Sequence, residues 1–286
     1  VKLKIVSFLS LFCIICLILA SSVSAKTESY WRGIPDDLGR NMTFRNSNWS
    51  STKGESIWEL SPDGIINDIA LFWGTTDDFF IVDYKTTIDS DAQNLNFYQS
   101  TIVQNGTSTF HTNISLADSI NGGVLQIQSS KIENDGAQFQ AIQEDFYLDT
   151  DKPIWFEARV KLNDAIETDT LIGLCIRDTS LLTAVTDGIY FRKVDGAASI
   201  NAVSEKNNTE TETDTTIDFA TETWVKLGFF WDGTDEVRFY VNGIERAKHS
   251  TNLPNDENMT ISWAFLTGEG AQNSLYVDYI KAVQIR

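Results

Sequence analysis

The strongest constraint on this chain is an odd-even alternation of apolar and polar side chains in short runs. Ile154, Phe156, Ala158, Val160 and Leu162 alternate with Trp155, Glu157, Arg159 and Lys161, a period of two that puts one set on a buried sheet face and the other towards solvent. The rhythm returns at Val225, Leu227, Phe229 and Trp231, at Val237, Phe239 and Val241, and at Leu275, Val277 and Tyr279. Shorter runs of the same kind occupy 124–128, 138–142, 171–176, 189–193, 200–203 and 260–265. Asp232-Gly233 separates two of the runs, and Asn242-Gly243 supplies the positive φ that a two-residue hairpin turn needs at both centres, so 224–250 reads as hairpin-linked antiparallel strands. The alternating Thr and acidic residues of 209–216 read as a solvated edge strand or hairpin arm. No helix-length amphipathic segment follows residue 80. Ten or more short strands with almost no helix define an all-β fold, an antiparallel jelly-roll β-sandwich.

Composition narrows the function. The chain has 286 residues, 42% of them apolar, which is enough for a packed core, and 22 Lys and Arg against 40 Asp and Glu give a net charge of −18. A surface this acidic has no cationic face to exchange for released counterions, which excludes nucleic acid and anionic membrane surfaces as favoured partners.

Three segments are expected. Lys2 and Lys4 precede an apolar run over 5–20 and the small residues Val23, Ser24 and Ala25, so 1–25 reads as a cleaved secretory signal peptide. Residues 26–78 form an irregular Trp-rich extension in which Trp31, Trp49, Trp58 and Trp73 have no helical or strand spacing and must dock, either on the chain's own domain or on a partner. Residues 79–286 form the sandwich. Removing the signal leaves Cys175 as the lone cysteine, in an apolar stretch that suits an inert buried thiol.

Chemistry has few candidates. The two histidines, His111 and His249, lie in no motif that pairs them with a nucleophile or metal, and no P-loop or G-x-S-x-G is present. Glycoside hydrolysis needs two carboxylates flanking the sugar bond, and the E-x-D-x-x-E spacing that would set them on one sheet face is absent. No cofactor is required by any motif. Among metals, calcium suits oxygen-rich loops, with Asp149, Asp151, Asp187 and Asp195 as candidate ligands beside the reading that they are solvated turn residues. Trp155, Tyr190, Phe230 and Tyr240 point away from the core face of their strands; they would stack on sugar rings or, more simply, pack against a second layer or a subunit.

The runs Trp155-Phe156-Glu157-Ala158-Arg159-Val160, Thr186-Asp187-Gly188-Ile189-Tyr190-Phe191, Phe239-Tyr240-Val241-Asn242-Gly243 and Val277-Asp278-Tyr279-Ile280 together resemble the concanavalin A-like lectin/glucanase sandwich, which includes laminin-G-type domains. Their order, with Asn252-Leu253-Pro254 before the penultimate strand, resembles most closely the structural and capsid-decoration proteins of tailed bacteriophages. That resemblance implies a non-catalytic attachment protein of the virion, with capsid or other subunits, further copies in a homo-oligomer among them, as partners. The alternative is a secreted, lectin-like carbohydrate-binding protein with glycans as partners; a glycosidase with an unrecognised carboxylate pair is third. A processed signal peptide implies an extracellular location, and its absence would suit a virion.

Overall fold

The computed structural model describes residues 72–77, 79, 86–87, 93–95, 98–106, 112–117 and 123–285. The expected signal peptide and Trp31, Trp49 and Trp58 lie outside the described residues. Among the described residues seventeen strands and one short helix follow one another as β1 (Phe72–Asp77), β2 (Thr86–Thr87), β3 (Gln93–Leu95), β4 (Tyr98–Val103), β5 (Asn113–Leu116), β6 (Leu125–Gln128), β7 (Gly136–Ala141), β8 (Ile154–Leu162), β9 (Thr168–Cys175), α1 (Leu181–Ala184), β10 (Gly188–Lys193), β11 (Ser199–Lys206), β12 (Thr209–Asp218), β13 (Val225–Trp231), β14 (Val237–Val241), β15 (Ile244–His249), β16 (Thr260–Thr267) and β17 (Ser274–Ile285).

They form two antiparallel sheets. One runs β15-β14-β13-β8-β17-β6-β5-β2, with β1 also paired to β17; the other runs β12-β11-β10-β9-β16-β7-β4-β3. The fold is the expected β-sandwich. β1 lies within the stretch expected to be irregular: Phe72 pairs with Ile285 and Trp73 with Gln284, which makes the backbone at Trp73 part of the first sheet.

The inner faces meet in one apolar core. Phe156 stacks on Phe229 at 4.9 Å between ring centres, and Phe191 of the eight-stranded sheet meets Phe239 of the nine-stranded sheet edge-on at 5.5 Å. At the other end of the core Trp263 is wedged between Phe139, stacked at 4.9 Å, and Tyr98, edge-on at 4.7 Å. Offset and edge-on packing of this kind contributes beyond buried area. Asn242 and Gly243 have φ of 54° and 78°, the values the β14–β15 hairpin turn requires. The β11–β12 hairpin turns at Asn207 and Asn208, also at positive φ.

Several strands depart from expectation, β8 among them. Trp155 and Glu157, on the outer face of β8, are 4% exposed, so this half of the strand is buried on both sides. The period-two pattern identifies which set faces the core, but an outward residue stays wet only if nothing lies over it.

Candidate functional site

The outer face of the eight-stranded sheet carries the site. On β4, Tyr98 and Ser100 are buried and Gln99 and Thr101 take the opposite face; on β7, Ala137, Phe139 and Ala141 belong to the core and Gln138 and Gln140 face outwards. The register sets Gln99 beside Gln140 and Thr101 beside Gln138, so alternation on two paired strands concentrates three amides and a hydroxyl in one patch.

The segment joining β9 to β10 folds back over the same face and becomes the wall of a cleft. Gln140 donates to Ile176 O at 2.8 Å and to Ser262 Oγ at 2.9 Å, and its side-chain oxygen accepts from Asp178 N at 2.8 Å. Gln138 donates to Asp178 O at 2.8 Å and accepts from Leu181 N at 2.9 Å. These bonds satisfy backbone groups that an irregular segment would otherwise leave unpaired against a sheet. Arg177 closes the end near Ile142: its guanidinium donates to Gln99 Oε1 and to Ile142 O, and its backbone nitrogen donates to Glu144 Oε1. The result is a cleft of about 230 Å³ lined by Gln99, Thr101, Gln138, Gln140, Arg177, Asp178 and Thr179.

Beyond the wall the sheet face is covered. Leu181 and Val185 of the connecting segment join Leu171, Cys175, Tyr190, Val203 and Ala264 in a second apolar cluster, with Leu182 against it. Gly173 makes room there: a Cβ would stand 2.2 Å from Ile189 O and 2.7 Å from Tyr190 Cβ. Burial pushes the Cys175 thiol well up, which fits an inert side chain.

Next to this cluster lies an acid pair on adjacent strands. Glu205 of β11 and Glu210 of β12 are cross-strand partners, and the Tyr190 hydroxyl donates to Glu205 at 2.7 Å and lies 3.4 Å from Glu210. Burial raises the Glu205 carboxyl, whereas the Arg192 guanidinium, bonded at 2.6 and 2.8 Å, lowers Glu210. Arg192 also reaches Glu212 at 2.6 Å. Opposed shifts can mark an acid and a nucleophile, but Glu205 is 5% exposed and Glu210 is gripped by Arg192 from two sides. Neither can meet a sugar bond in this arrangement.

The expected aromatic platform does not line the cleft. Trp155, Tyr190, Phe230 and Tyr240 are all buried, the most open at 8%. Trp155, Phe230 and Tyr240 lie together on the nine-stranded sheet, with Trp155 opposite Phe230 in register and 5.7 Å from Tyr240 ring to ring, and Tyr190 belongs to the other sheet. As an open ligand surface these four are therefore corrected: strand partners and overlying groups fill both faces of their strands.

The four candidate calcium ligands are dispersed as well. Asp149 pairs with Lys152 at 2.5 Å, and Asp151 sits in the same exposed turn at φ 60° with its backbone on Gly233. Asp187 is buried and accepts from Asn207 N, while Asp195 packs beside Gly268 with its backbone on Asp169. Among the described residues no three His, Cys, Asp or Glu side chains converge on a metal position. His249 is buried between Ser204 and Thr213, each 3.0 Å away, and burial lowers it to about 4. Among the described residues no helix is long and apolar enough to cross a membrane.

Among the described residues two antiparallel sheets stack in a jelly-roll β-sandwich of concanavalin A-like fold, with a polar cleft on the outside of one. The sequence matches no curated protein. It does match the model of the SO2946-like C-terminal domain over residues 121–275, more than half its length. The chain belongs to that family. Among solved structures it is similar to the protein of unknown function SO2946 from Shewanella oneidensis MR-1, at 16% identity and TM-score 0.51, with 75% of this chain and 87% of that one covered. It is similar also to the endo-1,3-β-glucanase of Streptomyces sioyaensis, at 13% identity and TM-score 0.52 over 75% and 96% of the two chains. A third is a family 16 glycoside hydrolase from the mixed-linkage glucan locus of Bacteroides ovatus, solved with a glucan product, at 11% identity and TM-score 0.52 over 73% and 99%.

These likenesses correct the expectation of a capsid-decorating protein. The motifs that suggested a phage head protein are strand and turn residues of the sandwich itself, such as the Asn242-Gly243 turn. Two of the three structures named are a glucanase and a family 16 glycoside hydrolase, and the likeness to them is one of fold.

Proposed function

We propose that this chain is a carbohydrate-binding β-sandwich protein that acts outside the cell, with the cleft over β4 and β7 as its sugar site and β-linked glucan as its ligand class. The observation that carries the reading is the cleft itself. The Gln138 and Gln140 amides at its base hold the wall, and the Thr101 and Thr179 hydroxyls, the Gln99 amide nitrogen and the Asp178 carboxylate line the rest, groups that suit the donation and acceptance of sugar hydroxyls. The glucanase-type fold and the glucan-directed relatives named above support the choice of ligand, and the apolar run after Lys2 and Lys4 supports the location.

The carboxylates support reading the site as one of binding without hydrolysis. Cleavage with retention or inversion needs two of them across the sugar bond, and Asp178 is the single carboxylate among the lining residues.

The test is affinity electrophoresis and a glycan array on the full chain, run with calcium and with chelator. Retardation by β-1,3-glucan or mixed-linkage β-glucan is expected, with no new reducing ends released on incubation. A flat array under both conditions would remove the reading, and steady release of reducing sugar would replace binding with catalysis.

A further inference from the structure

We infer that the cleft accepts the end of a glucan chain and not an internal stretch, a specificity that rests on the carbohydrate reading above. The cleft is walled on two sides by the chain's own connection between β9 and β10. Across the strands, a polymer leaving the Gln138 and Gln140 floor would pass over β16 and β9, but Ala264, Leu171 and Cys175 there are at most 1% exposed beneath Leu181 and Val185. That cover is fastened and apolar: five hydrogen bonds from the two glutamines hold its backbone and the β16 hydroxyl beside it, so a sugar residue would have to displace both the bonds and the packed side chains.

Along the strands the path closes at Arg177, whose guanidinium spans from Gln99 on β4 to the Ile142 carbonyl beyond the end of β7. On these two sides a chain that enters past Thr101 meets a stop. Groups in the dead end suit a terminal residue, which carries one more free hydroxyl than an internal one: Thr179 and Thr101 present hydroxyls, and Asp178 presents a carboxylate of which one oxygen is engaged by Ser180 N at 2.7 Å. A cleft of about 230 Å³ is small for a drug-sized ligand, as a site for one end unit should be.

The distinguishing experiment titrates the full chain with β-1,3-glucan and with mixed-linkage β-glucan, each intact and after partial acid hydrolysis, at equal mass concentration. If ends are bound, a hydrolysate with about ten times as many ends per gram shows a mass-based apparent Kd about tenfold lower. An apparent Kd that stays constant per unit mass, or weakens as the chains shorten, overturns end recognition and leaves carbohydrate binding standing. Absence of binding to every preparation overturns both.

Discussion

The side-chain oxygen of Gln140 accepts a hydrogen bond from the backbone nitrogen of Asp178 at 2.8 Å, and through it a residue near the end of β7 holds the wall of the cleft. The same amide donates to Ile176 O and to Ser262 Oγ. One side chain thus ties two strands and a loop.

Gln140→Ala should loosen that wall. Three bonds are lost and their buried partners are stranded, so a cost of about 1–3 kcal/mol is expected, with faster hydrogen exchange confined to residues 176–187. Gln140→Glu should lose nearly as much, because a carboxylate cannot donate to Ile176 O. Unchanged exchange in both variants would show that the wall stands without this fastening.

Gly173→Ala should be poorly tolerated. The added carbon would lie 2.2 Å from Ile189 O and 2.6 Å from Tyr190 Cα, so β9 and β10 must separate or Tyr190 must move, at a cost of roughly 1–3 kcal/mol or more. Thermal unfolding measures it, and a Tm within a degree of the parent would contradict the close approach.

The outer face of the nine-stranded sheet holds a buried ion pair. Lys281 lies 2.9 Å from Glu157, with the two side chains 1% and 6% exposed, and the Tyr279 hydroxyl donates to the same carboxylate oxygen at 2.6 Å. Lys281→Met leaves that carboxylate without its cation and should cost about 3–5 kcal/mol, whereas adding Glu157→Leu should recover most of the loss. Equal destabilisation by the single and double variants would indicate that packing, not charge, is at stake.

Acid should destabilise the fold through His249. Burial depresses its folded-state value to about 4, below the 6.5 of an exposed histidine. The unfolded chain therefore binds the proton first, and the stability present above pH 6.5 is lost as pH falls from 6.5 towards 4, by about 2–3 kcal/mol. Burial of Glu205 and of Asp169 raises their carboxyls and acts in the opposite direction, so the difference between parent and His249→Gln isolates the histidine. Urea unfolding at pH 7 and pH 4.5 should show that difference shrinking in acid; a pH-independent difference would contradict it.

Much of the fold was legible in the residues and little of the site was. The inner set of β8, the paired runs of β13 and β14 and the turn at Asn242 and Gly243 could be read directly, because period and turn chemistry are local. The Thr and acid alternation of β12 likewise reads as an exposed edge strand, which it is. Gln99, Thr101, Gln138 and Gln140 carried no signal, since each is an ordinary polar residue of an alternating strand until register sets β4 beside β7. Arg177 to Thr179 gained their role from a loop that folds back, a placement that no periodicity encodes. The outward aromatics misled for the same reason: Trp155 and Phe230 do leave the core face of their strands, yet they are covered, and cover is a property of the tertiary fold.

The most direct test of the account is a calorimetric titration of β-1,3-glucan hydrolysate into the parent chain and into Thr101→Trp, which fills the cleft from a half-buried strand position without touching the glutamine bonds. Saturable binding by the parent, weakened at least about tenfold, or 1.4 kcal/mol, in the variant at unchanged Tm, is the expected result. Equal binding by both proteins would place any sugar elsewhere and contradict it.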